Sequence, residues 1–416
     1  MSTHLFSPWP SFTKDEASAI ERLLLSNAVN YWTGNECSAF EDEFSTWTET
    51  RHAIAVSNGT VALEIALKAL GISVGDEVIV TPRTFFATVA SIVNSGAIPI
   101  FADVDTESGN ITSHTIKTVI SKRTRAIICV HLAGQPCDMD PILELCNTFG
   151  LMLIEDCAQA HGARYKGHSV GSIGHIGTWS FCQDKIMTTG GEGGMITTND
   201  DFLWRKMWSL KEHGKNWDAV FSKPHPPGFR WLHECFGSNA RMTEMQAAIG
   251  RIQLRRISTW TSLRQANAKS ISNALSPFSS DDGPIHLPRP SCQEYRSKSI
   301  YCDTCTEDCA HAYYKLYAFV RPDNLKFGWS RNRIVQEIEA MGVPCFYGSC
   351  SEVYLEKAFD ATGYRPHKRL PIARQLGETS LMFLVHPTLN KYEIKKTAIA
   401  IRTILTQSSS RTTSGQ

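Results

Sequence analysis

An excess of charge is the first thing this sequence lacks. Its 42 Lys and Arg nearly balance 41 Asp and Glu, for a net charge of +1. No strong field therefore argues for nucleic acid or a membrane surface as a partner. Long apolar runs are missing as well. None approaches the ~18–20 residues that a membrane-spanning helix needs. The opening MSTHLFSPWPSF has no basic stretch followed by an apolar core, so no secretory signal is read there and the cytoplasm is the expected location. Internal repeats are absent too, which excludes solenoid and propeller arrays.

Cysteine, by contrast, is plentiful. Thirteen are scattered through 416 residues, and without a secretion signal they are expected to be reduced thiols. One run, Cys302-x-x-Cys305-x-x-x-Cys309-x-His311, resembles a set of metal ligands. The second half of a usual zinc site is missing, so no metal is expected. The simpler reading is a surface loop leading into a strand over 311–320. With 42% hydrophobic and 20% charged residues, the chain is composed like a globular enzyme and is long enough for two domains.

Several segments alternate between strand and helix signals. Residues 13–26 carry a helix signature, with Thr13 as cap and Glu16 three residues on. Residues 52–56, 76–81, 97–102 and 125–130 read as strands. The helical stretch VALEIALKAL follows the first of them. Strands and helices alternating at this spacing predict an α/β fold with a mainly parallel sheet. Helices are also expected at 201–212, over TEMQAAIGRIQLRRI, at 258–275 and at 331–341. Strands are expected at 285–288 and 311–320. SKPHPPGFRW reads as a loop.

The most informative stretch is 151–195. An apolar run, 151–154, reads as a strand buried on both faces. Glu155 and Asp156 stand at its C-terminal end, where open α/β sheets place ligands. A second strand at 177–182 is followed by Lys185 and then by Thr188-Thr189-Gly190-Gly191-Glu192-Gly193-Gly194, a turn where backbone can approach another group closely. One acid at a strand end and one lysine beside such a turn suit pyridoxal 5'-phosphate (PLP). That cofactor needs a lysine amine to bond its aldehyde and a carboxylate against its ring nitrogen. Lys185 takes the first role and Asp156 the second. Taken singly, each has an ordinary reading as a solvated lysine or a capping acid.

The words EDCAQAHGARYKG, GSIGHIGTWSF and K-x-x-TTGGEGGM resemble the DegT/StrS-type sugar aminotransferases. That family has the aspartate-aminotransferase fold (fold type I), with a mainly parallel central sheet flanked by helices and a smaller α/β C-terminal domain. The resemblance implies PLP as cofactor, with pyridoxamine phosphate as the form between the two half-reactions. Strand 52–56 runs through Ser57-Asn58-Gly59-Thr60 into a helix, an arrangement that offers free N–H groups to an anion. In the family the equivalent Gly-Thr binds the PLP phosphate, so Gly59 and Thr60 carry that role, with Ser180 joining them. Phe85 corresponds to an aromatic that stacks on the ring, with its neighbour Phe86 expected to be buried. Gln159 falls beside the ring hydroxyl, and His161 supports Asp156 or packs. Within G-x-N-x-R-M, Asn239 implies a contact to the phosphate of a neighbouring subunit, hence a homodimer with shared sites. Trp32, His213 and Arg241 are candidate substrate contacts.

The resemblance divides the chain into a segment 1–35 at the active-site entrance, a large domain 36–257, a small domain 258–408 and a disordered tail 409–416. It implies transfer of an amino group from glutamate to a nucleotide-linked keto-deoxysugar, foremost a 4-keto-6-deoxyhexose, with a 3-keto sugar as the other option, for polysaccharide or lipopolysaccharide sugars. Two other readings compete. Sugar dehydratases of this family replace the lysine by histidine, and a non-catalytic sensor would lack Lys or Asp. Lys185 and Asp156 favour transfer over both. Around 342–349 the chain departs from the tyrosine- and proline-rich pattern of the family, which weakens the transfer of substrate contacts there.

Overall fold

The computed structural model describes residues 6–224, 230–290 and 309–410. Nine strands come first among the described residues: β1 His52–Val56, β2 Glu77–Val80, β3 Ile98–Phe101, β4 Thr124–Val130, β5 Met152–Asp156, the short hairpin β6 Arg164–Tyr165 and β7 His168–Ser169, β8 Ile176–Ser180 and β9 Gly194–Thr198. Seven of them form one sheet in the order β1-β9-β8-β5-β4-β2-β3. From β8 through β3 every pairing is parallel, while β9 runs antiparallel to both β8 and β1. The mainly parallel α/β sheet expected from the sequence is therefore present, with one reversed strand near its edge.

Alternation along the strands explains why both faces are covered. Val78 and Val80 enter one core with Ala126, Ile128 and Ile154, whereas Ile79 enters another with Ile127, Cys129 and Leu153. Successive side chains point to opposite faces, so strands apolar at every position need helices on both sides. Helix Gly59–Ala69 and helix Phe86–Asn94 belong to the first layer, and helix Met139–Phe149 to the second. Helix Lys14–Ser26 begins with the predicted capping box between Thr13 and Glu16.

Helix Ile257–Leu275 leads into the second sheet. That sheet comprises β10 Ile285–His286, β11 Leu316–Val320, β12 Cys345–Phe346 and β13 Ser380–Phe383, ordered β10-β11-β13-β12 and antiparallel throughout. The strand expected over 311–320 starts only at Leu316. His311 Nδ1 accepts the Tyr313 N–H at 2.8 Å, and Tyr313 has φ 48°, a left-handed residue that breaks the extended run. Two residues of the expected disordered tail are fixed, because the Ser410 N–H reaches the Asn324 carbonyl at 3.0 Å and Ser409 bridges Leu325. The rest of that tail, like Cys302 and Cys305, lies outside the described residues. The ten described cysteines are all free.

Glu155 holds the loop that precedes β8. Its Oε1 accepts the N–H groups of Ile173 at 2.9 Å and Gly174 at 2.6 Å, and its Oε2 accepts that of Gly171 at 2.9 Å. His131 Nε2 lies 2.9 Å from the same Oε2. Glu155→Ala is expected to strand these buried donors and to cost about 3–5 kcal/mol. A urea midpoint equal to that of the wild type would show that the loop finds other acceptors.

Candidate active site

The parallel strands end together at Asp156, which pairs with Val130 of β4 and Thr178 of β8. A cavity of about 640 Å3 opens at this edge, and Gly59, Thr60, Phe85, Asp156, Gln159, Ser180 and Lys185 all line it. Seven residues chosen from sequence are thus brought together within one chain.

Asp156 is buried. Its Oδ1 accepts the Ala158 N–H at 3.1 Å and its Oδ2 accepts the Thr88 hydroxyl at 2.9 Å. Thr88 is in turn hydrogen-bonded to Thr84 at 2.8 Å. Burial pushes the Asp156 carboxyl upward, against the two hydrogen bonds and the charges of Lys185 and His131. A cation placed against this carboxylate would reverse the shift.

The facing wall is built for an anion. Asn58 caps helix Gly59–Ala69 through its side chain, which accepts the Val61 N–H at 3.0 Å. The N–H groups of Gly59 and Thr60 are left without a hydrogen-bond partner among the described residues and stand at a helix N-terminus. A Cβ on Gly59 would lie 2.7 Å from the Ser180 Cβ, so only glycine lets the helix start this close to that hydroxyl. A Cβ on Gly194 would meet the Asn58 carbonyl at 2.5 Å. Two glycines from separate motifs therefore press the anion-binding turn against the sheet.

Phe85 is 68% exposed at the cap position of helix Phe86–Asn94, while Phe86 turns inward against Phe359. Gln159 is fixed by the Ala133 N–H, which donates to its Oε1 at 2.8 Å. The Lys185 carbonyl accepts the Trp9 Nε1–H at 2.8 Å. Its Nζ lies 5.2 Å from the ring centre of Tyr314, whose hydroxyl donates to Asp184.

Trp32, His213, Asn239 and Arg241 do not line this cavity. They gather instead around Glu212. Trp32 Nε1 and Arg241 Nε both donate to Glu212 Oε2, at 3.1 and 2.7 Å. Arg241 Nη1 also donates to Asn239 Oδ1 at 2.8 Å. The His213 N–H reaches the Ser238 carbonyl at 3.0 Å. Trp32 also stacks on Phe221. His161 makes no bond to Asp156. It sits buried between Trp179 and Phe181 with neither ring nitrogen bonded, and burial, with Lys185 and Arg264 nearby, pushes it down to about 3. It packs as a neutral ring.

Thr88, Tyr314, Trp9 and the Ser349–Cys350 wall carried no role in the sequence reading. Only Thr88 left a signal, three residues past Phe85 and hence on the same helix face. Cys309 Sγ accepts the Lys166 N–H at 3.1 Å. Among the described residues the group closest to a metal-ligand set is His131, Glu155 and Cys157. The carboxylate there is already saturated by the amides described above.

The sequence pattern of the DegT/DnrJ/EryC1/StrS aminotransferase family matches residues 10–402. The chain belongs to this family. It is 44% identical over 245 residues to a GDP-perosamine synthase of Escherichia coli O157:H7, covering 59% of this chain and 64% of that one. It is 35% identical over 271 residues to a dTDP-3-amino-3,4,6-trideoxy-alpha-D-glucose transaminase of Streptomyces venezuelae, covering 65% and 68%. The chain thus spans less than two thirds of the length of the GDP-perosamine synthases it matches. The crystal structure of an aminotransferase from Psychrobacter cryohalolentis superposes with a TM-score of 0.91 at 60% identity, covering 96% of this chain and 98% of that one.

Enzymes of the family depend on PLP, and the cavity fits that cofactor. It offers a carboxylate short of positive charge, N–H groups without protein partners and a single amine, Lys185, among its described lining residues. Gly59→Ala is expected to push the helix start from Ser180 and to weaken PLP binding by ~10-fold or more, the equivalent of one or two charge-assisted hydrogen bonds. Equilibrium dialysis of PLP against the folded variant measures this, and an unchanged affinity would remove the turn from phosphate binding.

Proposed function

We propose that this protein is a PLP-dependent aminotransferase that moves an amino group from glutamate to the keto carbon of a nucleotide-linked deoxysugar, a 4-keto-6-deoxyhexose first among them. The observation that carries the reading is the meeting of Lys185, Asp156 and the Gly59–Thr60 turn in one cavity. The names of the GDP-perosamine and dTDP-aminosugar relatives support the nucleotide-sugar class.

Bound PLP supplies an aldehyde for the donor's amine and a ring that stores the electron pair left when the α-proton departs. Lys185 holds the cofactor and, once released, carries a proton at Nζ to and from the reacting carbon. Asp156 keeps the ring nitrogen protonated by its charge, and Thr88 orients that carboxylate. The N–H groups of Gly59 and Thr60, with the Ser180 hydroxyl, hold the phosphate. Phe85 covers the ring face, and Gln159 donates toward the ring hydroxyl. An absorbance spectrum of the protein with PLP tests this. A band near ~420 nm that shifts to shorter wavelength with glutamate, and returns with a keto-sugar nucleotide, is the expected result. Lys185→Ala should lose the band and slow transfer by at least ~10²–10⁴-fold. A band unchanged in that variant would favour a sensor.

A homodimer with shared sites is part of the proposal. Trp231 is 90% exposed and Phe236 is 95% exposed on the same loop as exposed Asn239, and exposed apolar patches mark interaction surfaces. In this reading a second copy covers the aromatics, and Asn239 completes the partner's phosphate site. Mixing unfolded Lys185→Ala and Asn239→Ala chains and refolding them together should restore about a quarter of wild-type activity. Half the dimers would then be mixed, each with one intact site. No recovery, with dimers present by sedimentation, would show that each site is built from one chain.

A further inference from the structure

Arg83 precedes the Thr84–Phe85 pair of the cofactor cavity, yet its side chain turns the other way. The residue is 2% exposed. Its guanidinium has no hydrogen bond and no carboxylate partner among the described residues, and Nε is buried and unbonded. The rings of Tyr317 and Phe319 on β11 stand 5.6 and 5.4 Å from its central carbon. A Cβ on Gly109 would lie 2.4 Å from Nη1, so the loop over 105–110 closes on the guanidinium at a glycine with φ +70°. Arginine keeps its proton in proteins. A buried charge without a counterion is costly, which makes an unpaired guanidinium in a shaped cavity a site awaiting an anion.

The cavity that Arg83 lines measures about 60 Å3 and shares no lining residue with the cofactor cavity. His311 lines it too. Its Nδ1 accepts the Tyr313 N–H, so the neutral ring carries its proton on Nε2 and offers a second donor. Burial pushes His311 down to about 3, which keeps the ring neutral near pH 7. The remaining walls combine Leu132, Leu287 and Leu316 with the polar Ser108, Gln135 and Ser272. One fixed positive charge among neutral polar groups matches a single negative charge. The planar fork of arginine matches a carboxylate, and the volume admits an anion of few atoms, given that one water needs ~10–15 Å3 of such space.

We propose that Arg83 and His311 form a binding site for a small carboxylate of the size of formate or acetate, separate from the cofactor cavity and joining the large domain to β11. The test uses the full chain saturated with PLP and sodium acetate or formate exchanged for sodium chloride at constant ionic strength. Binding is read by calorimetry and by the unfolding temperature. Saturable binding with a rising unfolding temperature is expected in the wild type. Arg83→Met, which keeps an unbranched stem between the two rings, is expected to lose at least ~10-fold in affinity while unfolding no lower than the wild type without carboxylate. His311→Phe keeps the ring but loses both the Nε2 donor and the acceptor of the Tyr313 N–H, and, with its fold checked by circular dichroism, it should weaken binding several-fold even where Arg83→Met fails to fold. Absence of saturable binding, equal binding by chloride, stronger binding by phosphate, or unchanged affinity in the folded variants would each overturn the assignment.

Discussion

A carboxylate buried short of positive charge governs the cavity of this protein. β5 ends in two adjacent acids whose side chains leave opposite faces of the strand. Glu155 is met by the N–H groups of Gly171, Ile173 and Gly174 and by His131. Asp156 receives one N–H and one hydroxyl, and burial outweighs them. The first acid is a closed structural knot and the second is an open valence. A ligand that brings positive charge to Asp156 offsets the cost of burying its carboxylate, and this constraint selects among cofactors before any substrate is considered.

The opposite wall imposes the complementary demand. The helix that starts at Gly59 presents N–H groups beside Ser180, and the close approach of Gly194 to Asn58 fixes that start against the sheet. A ligand that satisfies both walls must be cationic at one end and anionic at the other. A protonated pyridine ring bearing a phosphate has that polarity. The unpartnered N–H groups at the Gly59 helix start match an anion and give a lone metal cation nothing to bind on that wall.

Much of this was legible because the motifs are local. Asp156 sits at a strand end and Gly59 at a helix start that hydrophobic periodicity defines, while Lys185 and Ser180 were read through the family words around them, and the fold brings all four to one edge of the sheet. The other residues depend on contacts between distant segments. Trp32 and Arg241 meet at Glu212, 180 and 29 residues away in sequence, and that carboxylate sits over the buried Lys211 amine, 3.4 Å from its Oε1. No spacing rule announces such a cluster. Tyr314 was hidden in an aromatic run that reads as strand, and only the left-handed Tyr313 beside it turns the run into a wall of the cavity.

The division into domains shows the same limit. Residues beyond 258 do build a second core around β11 and β13, but Val353, Tyr354 and Phe359 return to the core of the large sheet. The Val353 N–H donates to the Pro82 carbonyl at 3.0 Å, directly before Arg83. Helix Pro371–Thr379 starts on Asp103, whose carboxylate accepts the N–H groups of Ile372 and Ala373 at 3.0 and 2.9 Å, a favourable place for negative charge at a helix N-terminus. Ser349 and Cys350, which reach the cofactor cavity, lie between β12 and these anchors. The chain is therefore tied to the large sheet twice, at 353 and at 372–373, directly after the segment that faces the cavity. Any swing of the second sheet about helix Ile257–Leu275 would have to break the Asp103 and Pro82 contacts, so the width of the cavity at Ser349–Cys350 depends on residues next to β2 and β3.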